Sequence, residues 1–264
     1  MLFRSSENDI IVIPEICADN EQLQKFKCKK IVFVQNAFYI YEGLKTRETY
    51  ESLGISYIFY YMPHLEKILK NITNIPLFET PPFIAPYFFE KKDIKRTKKI
   101  ILYPKFENKE YYILKRYLNE KANIKTKGFF NKMFSNDESW ELVELKDKKH
   151  KELPSLMQSA MFFVTINTTE AFNSAVPEAM ASGCINYCFE DVGPSDFLIN
   201  NHNAFVFYND HIFELAEKLV YYFNNYESIK NELNDIRNNA YLLSKNYTID
   251  KLESKIIDFF KNLI

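Results

Sequence analysis

Thr168–Cys184 reads TTEAFNSAVPEAMASGC, and it lies between two apolar runs, MFFVTIN (Met161–Asn167) and CINYCF (Cys184–Phe189). The flanking runs are short, β-branched and aromatic, the composition of buried strands. Pro177 suits the first turn of a helix, where its missing N–H has no intrahelical partner to lose. The residues after it are small, which lets a helix lie close on a sheet. Strand, turn, helix and strand together make one repeat of a parallel α/β sheet. Glu170 then falls in the loop at the carboxyl end of the first strand and Glu178 in the first turn of the helix, at the edge where open α/β sheets bind ligands. The amides of Ser174, Ala175 and Val176, unpaired at a helix start, would offer phosphate a partly positive seat. Taken singly, Glu178 reads as a helix-start charge worth about 0.3–1 kcal/mol and Glu170 as a solvated loop residue. Their pairing across seven residues, followed by AMASGC, points instead to a ligand.

The same alternation extends in both directions. DIIVIPEI (Asp9–Ile16), KIVFV (Lys30–Val34) and ISYIFYY (Ile55–Tyr61) read as strands, and Pro63 opens a helix, PHLEKILKNI. From Ile75 to Lys99 the pattern dissolves into prolines and then basic residues, which marks a domain boundary. Beyond it, KIILY (Lys99–Tyr103) and SWELVEL (Ser139–Leu145) read as strands, ENKEYYILKRYL and HKELPSLMQSA as helices, and NAFVFY (Asn203–Tyr208) as the last strand. HIFELAEKLVYYFNN and the terminal YTIDKLESKIIDFFKNLI carry apolar residues at helical spacing. The expected organisation is α/β with two Rossmann-like domains: residues 1–90, residues 91–245, and a terminal helix, 246–264, packing back on the first.

Composition narrows the classes. The chain has 264 residues, 47% of them hydrophobic, enough for real cores. A net charge of -1 gives no global attraction to nucleic acid. The cysteines, Cys17, Cys28, Cys184 and Cys188, form no CxxC and have no histidine cluster beside them, so buried free thiols are expected rather than a disulfide framework or zinc site. No stretch has the length of a signal peptide's apolar core or a spanning helix, and a cytoplasmic protein is expected. Walker loop, GxGxxG and GxSxG motifs are absent, which removes the support for kinase, dehydrogenase and hydrolase readings. Asp-x-Asp is absent as well, which disfavours a sugar transferase that holds its nucleotide through a divalent ion.

E-x7-E followed by AMASGC resembles the donor-site signature of GT-B glycosyltransferases of the retaining, group 1 (family-4-like) type. Tyr103-Pro104-Lys105 with Lys109 resembles that family's strand-end basic pair. Asp191–Leu198 resembles its later glycine-and-acid loop, and NHNAFVFYNDHIFELAEKL its closing strand and helix. The resemblance is concentrated in Lys98–Leu219 and implies a GT-B-like fold with a shortened N-terminal domain. It implies transfer of a sugar from a nucleoside diphosphate sugar to a glycan or lipid-linked acceptor, as in surface polysaccharide or glycoconjugate biosynthesis, with no metal or organic cofactor. By family position Glu170 would contact the sugar hydroxyls and assist transfer, and Glu178 would hold the ribose. The backbone of Phe172, Asn173, Ser174, Ala175 and Val176 would line the sugar and phosphates, while Lys105 and Lys109 would neutralise the diphosphate leaving group. Ala171 and Asn173 stand where the family usually has glycine, and Lys105 where it commonly has arginine. A non-catalytic nucleotide-sugar-binding or partner subunit is the alternative.

Other residues carry weaker signals. Gln35-Asn36 ends a strand and would face the interdomain cleft, or simply cap a loop. His64, after Pro63, suits a surface helix start, or a neutral hydrogen-bonding role in the cleft. His150, His202 and His211 lie in polar segments and read as solvated. Lys91–Lys99 reads as a solvated linker, with contact to anionic lipid head groups as the alternative.

Overall fold

The computed structural model describes residues 6–44, 48–104, 108–121, 125–126 (backbone), 140–146, 148–168, 172–190 and 196–263. They form two compact units: residues 1–83, 169–172 and 249–264, and residues 84–168 with 173–248. The first contains strands β1 (Ile10–Pro14), β2 (Lys29–Val34), β3 (Tyr57–Tyr60) and β4 (Leu77–Glu79), with helices α1 (Glu21–Gln24), α2 (Ala37–Glu42) and α3 (Pro63–Leu69). The second contains β5 (Lys99–Tyr103), α4 (Lys109–Lys121), β6 (Lys125–Thr126), β7 (Glu141–Glu144), α5 (Leu153–Ser159), β8 (Phe162–Thr165), α6 (Ala175–Ala181), β9 (Ile185–Phe189), β10 (Phe205–Phe207), α7 (Ile212–Asn224) and α8 (Tyr226–Ser244). The last helix, α9 (Ile249–Leu263), belongs to the first unit.

The sheet of the first unit runs in the order β1-β2-β3-β4, and all of its pairs are parallel. Crossovers between sequential parallel neighbours are right-handed as a rule, so their helices stack on one face of the sheet. The opposite face needs a separate cover, and α9 supplies it. Ile31, Phe33, Tyr57, Phe59 and Phe78 alternate along their strands toward a cluster with Ile256, Phe259, Phe260 and Leu263. The Phe259 ring meets Phe59 at 4.7 Å, Phe78 at 4.8 Å and Tyr57 at 5.3 Å. Strand β4 lies inside the Ile75–Lys99 stretch, where the sequence shows no period. It is three residues long and sits at the sheet edge, too short to show a period.

In the second unit the order is β10-β9-β8-β5-β7-β6, again parallel throughout. Every residue of β8 and β9 is buried, which is why both read as unbroken apolar runs: helices cover the two faces of the sheet. From β5 the chain goes to one side for β6 and β7 and to the other for β8, β9 and β10. The switch point therefore lies between the adjacent strands β5 and β8, at Tyr103-Pro104 and Thr165–Asn167. Trp140 anchors the core beneath: its ring lies 4.6 Å from Phe223, and its indole N–H donates to the Phe223 carbonyl at 3.3 Å. No described helix is long and apolar enough to cross a membrane.

Candidate functional site

Phe172 and Asn173 lead into α6. Phe172 is buried with its ring 5.8 Å from Tyr61. Asn173 takes φ 50, a left-handed conformation that asparagine tolerates better than most residues. Ser174, exposed, precedes the helix, and its carbonyl accepts the Glu178 amide at 3.0 Å. Ala175 is half-buried and Val176 fully buried. The expectation of three outward amides needs correcting at Val176, whose N–H donates to the Asn173 carbonyl at 2.9 Å. The left-handed turn brings that carbonyl back over the helix start.

Glu178 is buried at 6% exposure, although its side chain is ionisable. Its Oε1 lies 2.8 Å from His150 Nε2, and the other ring nitrogen, Nδ1, lies 2.5 Å from the Tyr87 hydroxyl. A neutral imidazole satisfies this chain completely when Nε2–H donates to Glu178 and Nδ1 accepts the Tyr87 O–H. The rings of Phe88 and Tyr87 pack edge-on against the imidazole at 5.2 and 5.8 Å and fix its plane. Burial raises the Glu178 pKa, and the hydrogen bond and charge of His150 offset part of that rise. Burial, followed by the nearby Glu178 charge, raises the Tyr87 pKa. Among the described residues Glu178 Oε2 accepts no hydrogen bond, which leaves one oxygen of a fixed carboxylate for a hydroxyl donor.

His150 therefore is not simply solvated. Half of its side chain is exposed, yet both nitrogens are engaged. Neither it nor Tyr87 stood out in the sequence, because their partnership joins positions 63 and 28 residues apart. His64 is buried rather than at the surface. Asn36 caps α2, its Oδ1 accepting the Phe38 amide at 2.9 Å, and the Gln35 and Asn36 amides both donate to the buried Glu15 carboxylate, at 3.0 and 2.9 Å. Gln35 itself is exposed. Lys109 is exposed at the first residue of α4. Lys105 and Glu170 lie outside the described residues, and so does the start of the Asp191–Leu198 loop.

Residues 141–261 match the family described as glycosyl transferases group 1. A search of curated proteins finds no match. The crystal structure of TarM superposes with a TM-score of 0.66 at 13% identity, covering 95% of this chain and 54% of that one. The pneumococcal O-GlcNAc transferase GtfA, solved with UDP and GlcNAc, gives 0.63 at 14% identity, covering 92% and 53%. Sucrose-phosphate synthase from Thermosynechococcus elongatus gives 0.68 at 12% identity, covering 96% and 73%. The chain thus spans about half the length of TarM and GtfA. Likeness at this level establishes the fold, which is GT-B-like with two Rossmann-like units on parallel sheets.

Proposed function

We propose that the chain is a glycosyltransferase that moves a sugar from a nucleoside diphosphate sugar to a glycan or lipid-linked acceptor. The observation that carries this reading is the Glu178 carboxylate. It is buried at the head of α6, held by His150 through one oxygen and open to a hydroxyl donor through the other. A surface charge needs no such housing, whereas a carboxylate that must grip hydroxyls in a water-poor site does. In this reading Glu178 holds the ribose and Glu170 contacts the sugar. Lys105 and Lys109 neutralise the diphosphate as charge develops on the leaving group. Retention of configuration, a role in surface polysaccharide or glycoconjugate assembly, and a cytoplasmic setting complete the proposal. The scheme requires no metal or organic cofactor. Contact with an anionic membrane through Lys91–Lys99 would rest on Lys91 and Lys95, which are exposed. Lys92, Arg96 and Lys99 bond within the protein, to Ser155, to main-chain carbonyls and to Ser159.

The test is thermal stabilisation by a panel of UDP-, GDP- and dTDP-sugars, followed by donor-hydrolysis and transfer assays. At least one donor should stabilise the protein and be turned over. If none stabilises it, the proposal is wrong. Stabilisation without turnover would favour a non-catalytic nucleotide-sugar-binding subunit.

A further inference from the structure

A second candidate site lies at the amino-terminal edge of the six-stranded sheet, away from the carboxyl ends that lead to Glu178. A cavity of about 340 Å³ opens there between the 89–96 segment, the end of α6 and one face of α8. Its lining includes Lys91, Lys92, Arg96 and Arg237 against a single carboxylate, Glu90. Arg96 has a structural role: its guanidinium donates to the Ala160 carbonyl and, at 3.0 Å, to the Ser182 carbonyl, at the buried carboxyl-terminal caps of α5 and α6. Gly183, at φ +79, leaves room for it, since a Cβ there would come within 2.7 Å of Arg96 Nη2. Burial, and the like charge of Arg237 nearby, lower the Arg96 pKa.

Arg237 has no comparable structural explanation. Its Nη1 donates to Asn234 Oδ1 at 2.5 Å, but Nε and Nη2 are shielded from water and have no acceptor among the described residues. These two atoms form one edge of the guanidinium, the edge that grips two oxygens of a single oxyanion side by side. Neither arginine is ion-paired to a carboxylate among the described residues. Buried donors left unsatisfied destabilise the fold, and two guanidiniums close enough to feel each other add repulsion. An anion between them would relieve both.

We propose that this cavity binds a phosphate-type oxyanion, toward which the Arg237 side chain turns its Nε/Nη2 edge, with Arg96, Lys91 and Lys92 supplying the remaining positive charge. The volume is at the lower end of ligand-sized cavities, enough for a phosphate with a small organic group. A soluble phosphomonoester and a phospholipid head group present the same chemistry. The site is independent of the donor reading above.

The experiment uses the full chain at constant ionic strength. Inorganic phosphate and glycerol 3-phosphate are titrated against a chloride control by calorimetry and thermal melting, and flotation compares phosphatidylglycerol vesicles with phosphatidylcholine vesicles. Phosphate should bind and stabilise the wild type, and Arg237→Gln should weaken that binding about tenfold or more, the scale of one charge-assisted hydrogen bond. Lys109→Gln, at the proposed diphosphate seat, should leave the response intact, which separates this cavity from the opposite sheet edge. If Arg237→Gln does not fold, the paired change Lys91→Gln with Lys92→Gln must show the same direction of loss. Vesicle binding that Arg237→Gln abolishes would assign the site to a head group, and a response to the soluble anions alone would assign it to a small phosphate ester. Three outcomes overturn the proposal: no response beyond chloride, a response unchanged in the variants, or vesicle binding that persists without Arg237.

Discussion

Replacing Glu178 with glutamine separates what the carboxylate does for the fold from what it does for a ligand. The amide keeps the shape and an oxygen for His150 but loses the charge. The free protein should therefore tolerate the change. Burial holds the Glu178 pKa above its ordinary value. A carboxyl with a raised pKa is no burden while protonated, and its ionisation weakens the fold as pH rises through the ordinary carboxylate value to the raised one. The variant escapes that loss, so its stability relative to wild type should improve as pH rises through the ordinary carboxylate value toward the raised one. Ligand binding should move the other way. At a donor concentration about 100-fold above Kd, the wild type gains about 2.7 kcal/mol, or about 5–10 °C in melting temperature for a chain of this size. Losing the charge at Oε2 removes about 1.5–3 kcal/mol, roughly ten- to hundredfold in affinity. The gain at the same concentration then drops to about 0.4–1.4 kcal/mol, a shift of about 1–5 °C. Differential scanning fluorimetry with the best donor, repeated across pH, measures both effects. Equal donor-induced shifts in the two proteins would refute the assignment of Glu178 to the ligand.

Three further outcomes test the framework around the site. Burial pushes the Glu144 carboxyl up, but hydrogen bonds from Lys115, Tyr111 and Lys146 prevail and hold its pKa at about 2. Glu144→Gln should cost about 1–2 kcal/mol at neutral pH, allowing for the part-exposed lysines. That cost should fade as pH falls from the ordinary carboxylate value toward 2, and denaturant melts showing a pH-independent difference would contradict it. Phe259→Ala should lose about 3–5 kcal/mol by denaturant unfolding, against less than about 0.5 kcal/mol for Ile257→Ala on the half-exposed side of α9; similar losses would mean that α9 is not the cover of the first sheet. Gly43→Ala would place a Cβ 1.8 Å from the Glu15 carbonyl oxygen, a main-chain atom that cannot swing away. It should lower stability by about 1–3 kcal/mol, and an unchanged melting temperature would rule out that close approach.

The α/β class was legible because its signals are local. Runs such as MFFVTIN and CINYCF are buried on both faces and so carry no polar interruptions, and Pro63 and Pro177 mark helix starts by their own chemistry. Helix α8 carries a weak sequence signal for the opposite reason. Asn231, Asn234, Asn238 and Asn239 break up its composition, while its fully buried apolar positions are only Leu233, Ile236 and Ala240, at helical spacing. A stripe that narrow is easily taken for a loop, and only packing against the sheet made it a helix of 19 residues. The site divided along the same line. Glu178 stands out in the sequence as a candidate, because a carboxylate in the first turn of a small-residue helix is an unusual local pattern. Its partner does not: His150 opens the turn before α5, Tyr87 lies in a short turn after the proline-rich stretch, and neither sequence context differs from an ordinary surface segment.

The three side chains also explain how a glutamate can stay in place at so buried a position. Alone, a carboxylate there would keep its proton, since burial disfavours the charged form. His150 offsets part of that preference by donating a hydrogen bond to the charged form, and Tyr87 and Phe88 keep the ring from turning away. The compensation is incomplete, because the Glu178 pKa remains raised. What is missing is a donor to the second oxygen. A ligand hydroxyl would supply it, and would favour the ionised form as it bound. Ligand affinity and Glu178 ionisation are then one linked equilibrium: whatever strengthens the His150 contact prepares the carboxylate for the ligand, and whatever weakens it returns the proton. On the proposed reading, the unfinished solvation of Glu178 is the feature that would make α6 and its neighbours a binding site rather than another helix on a sheet.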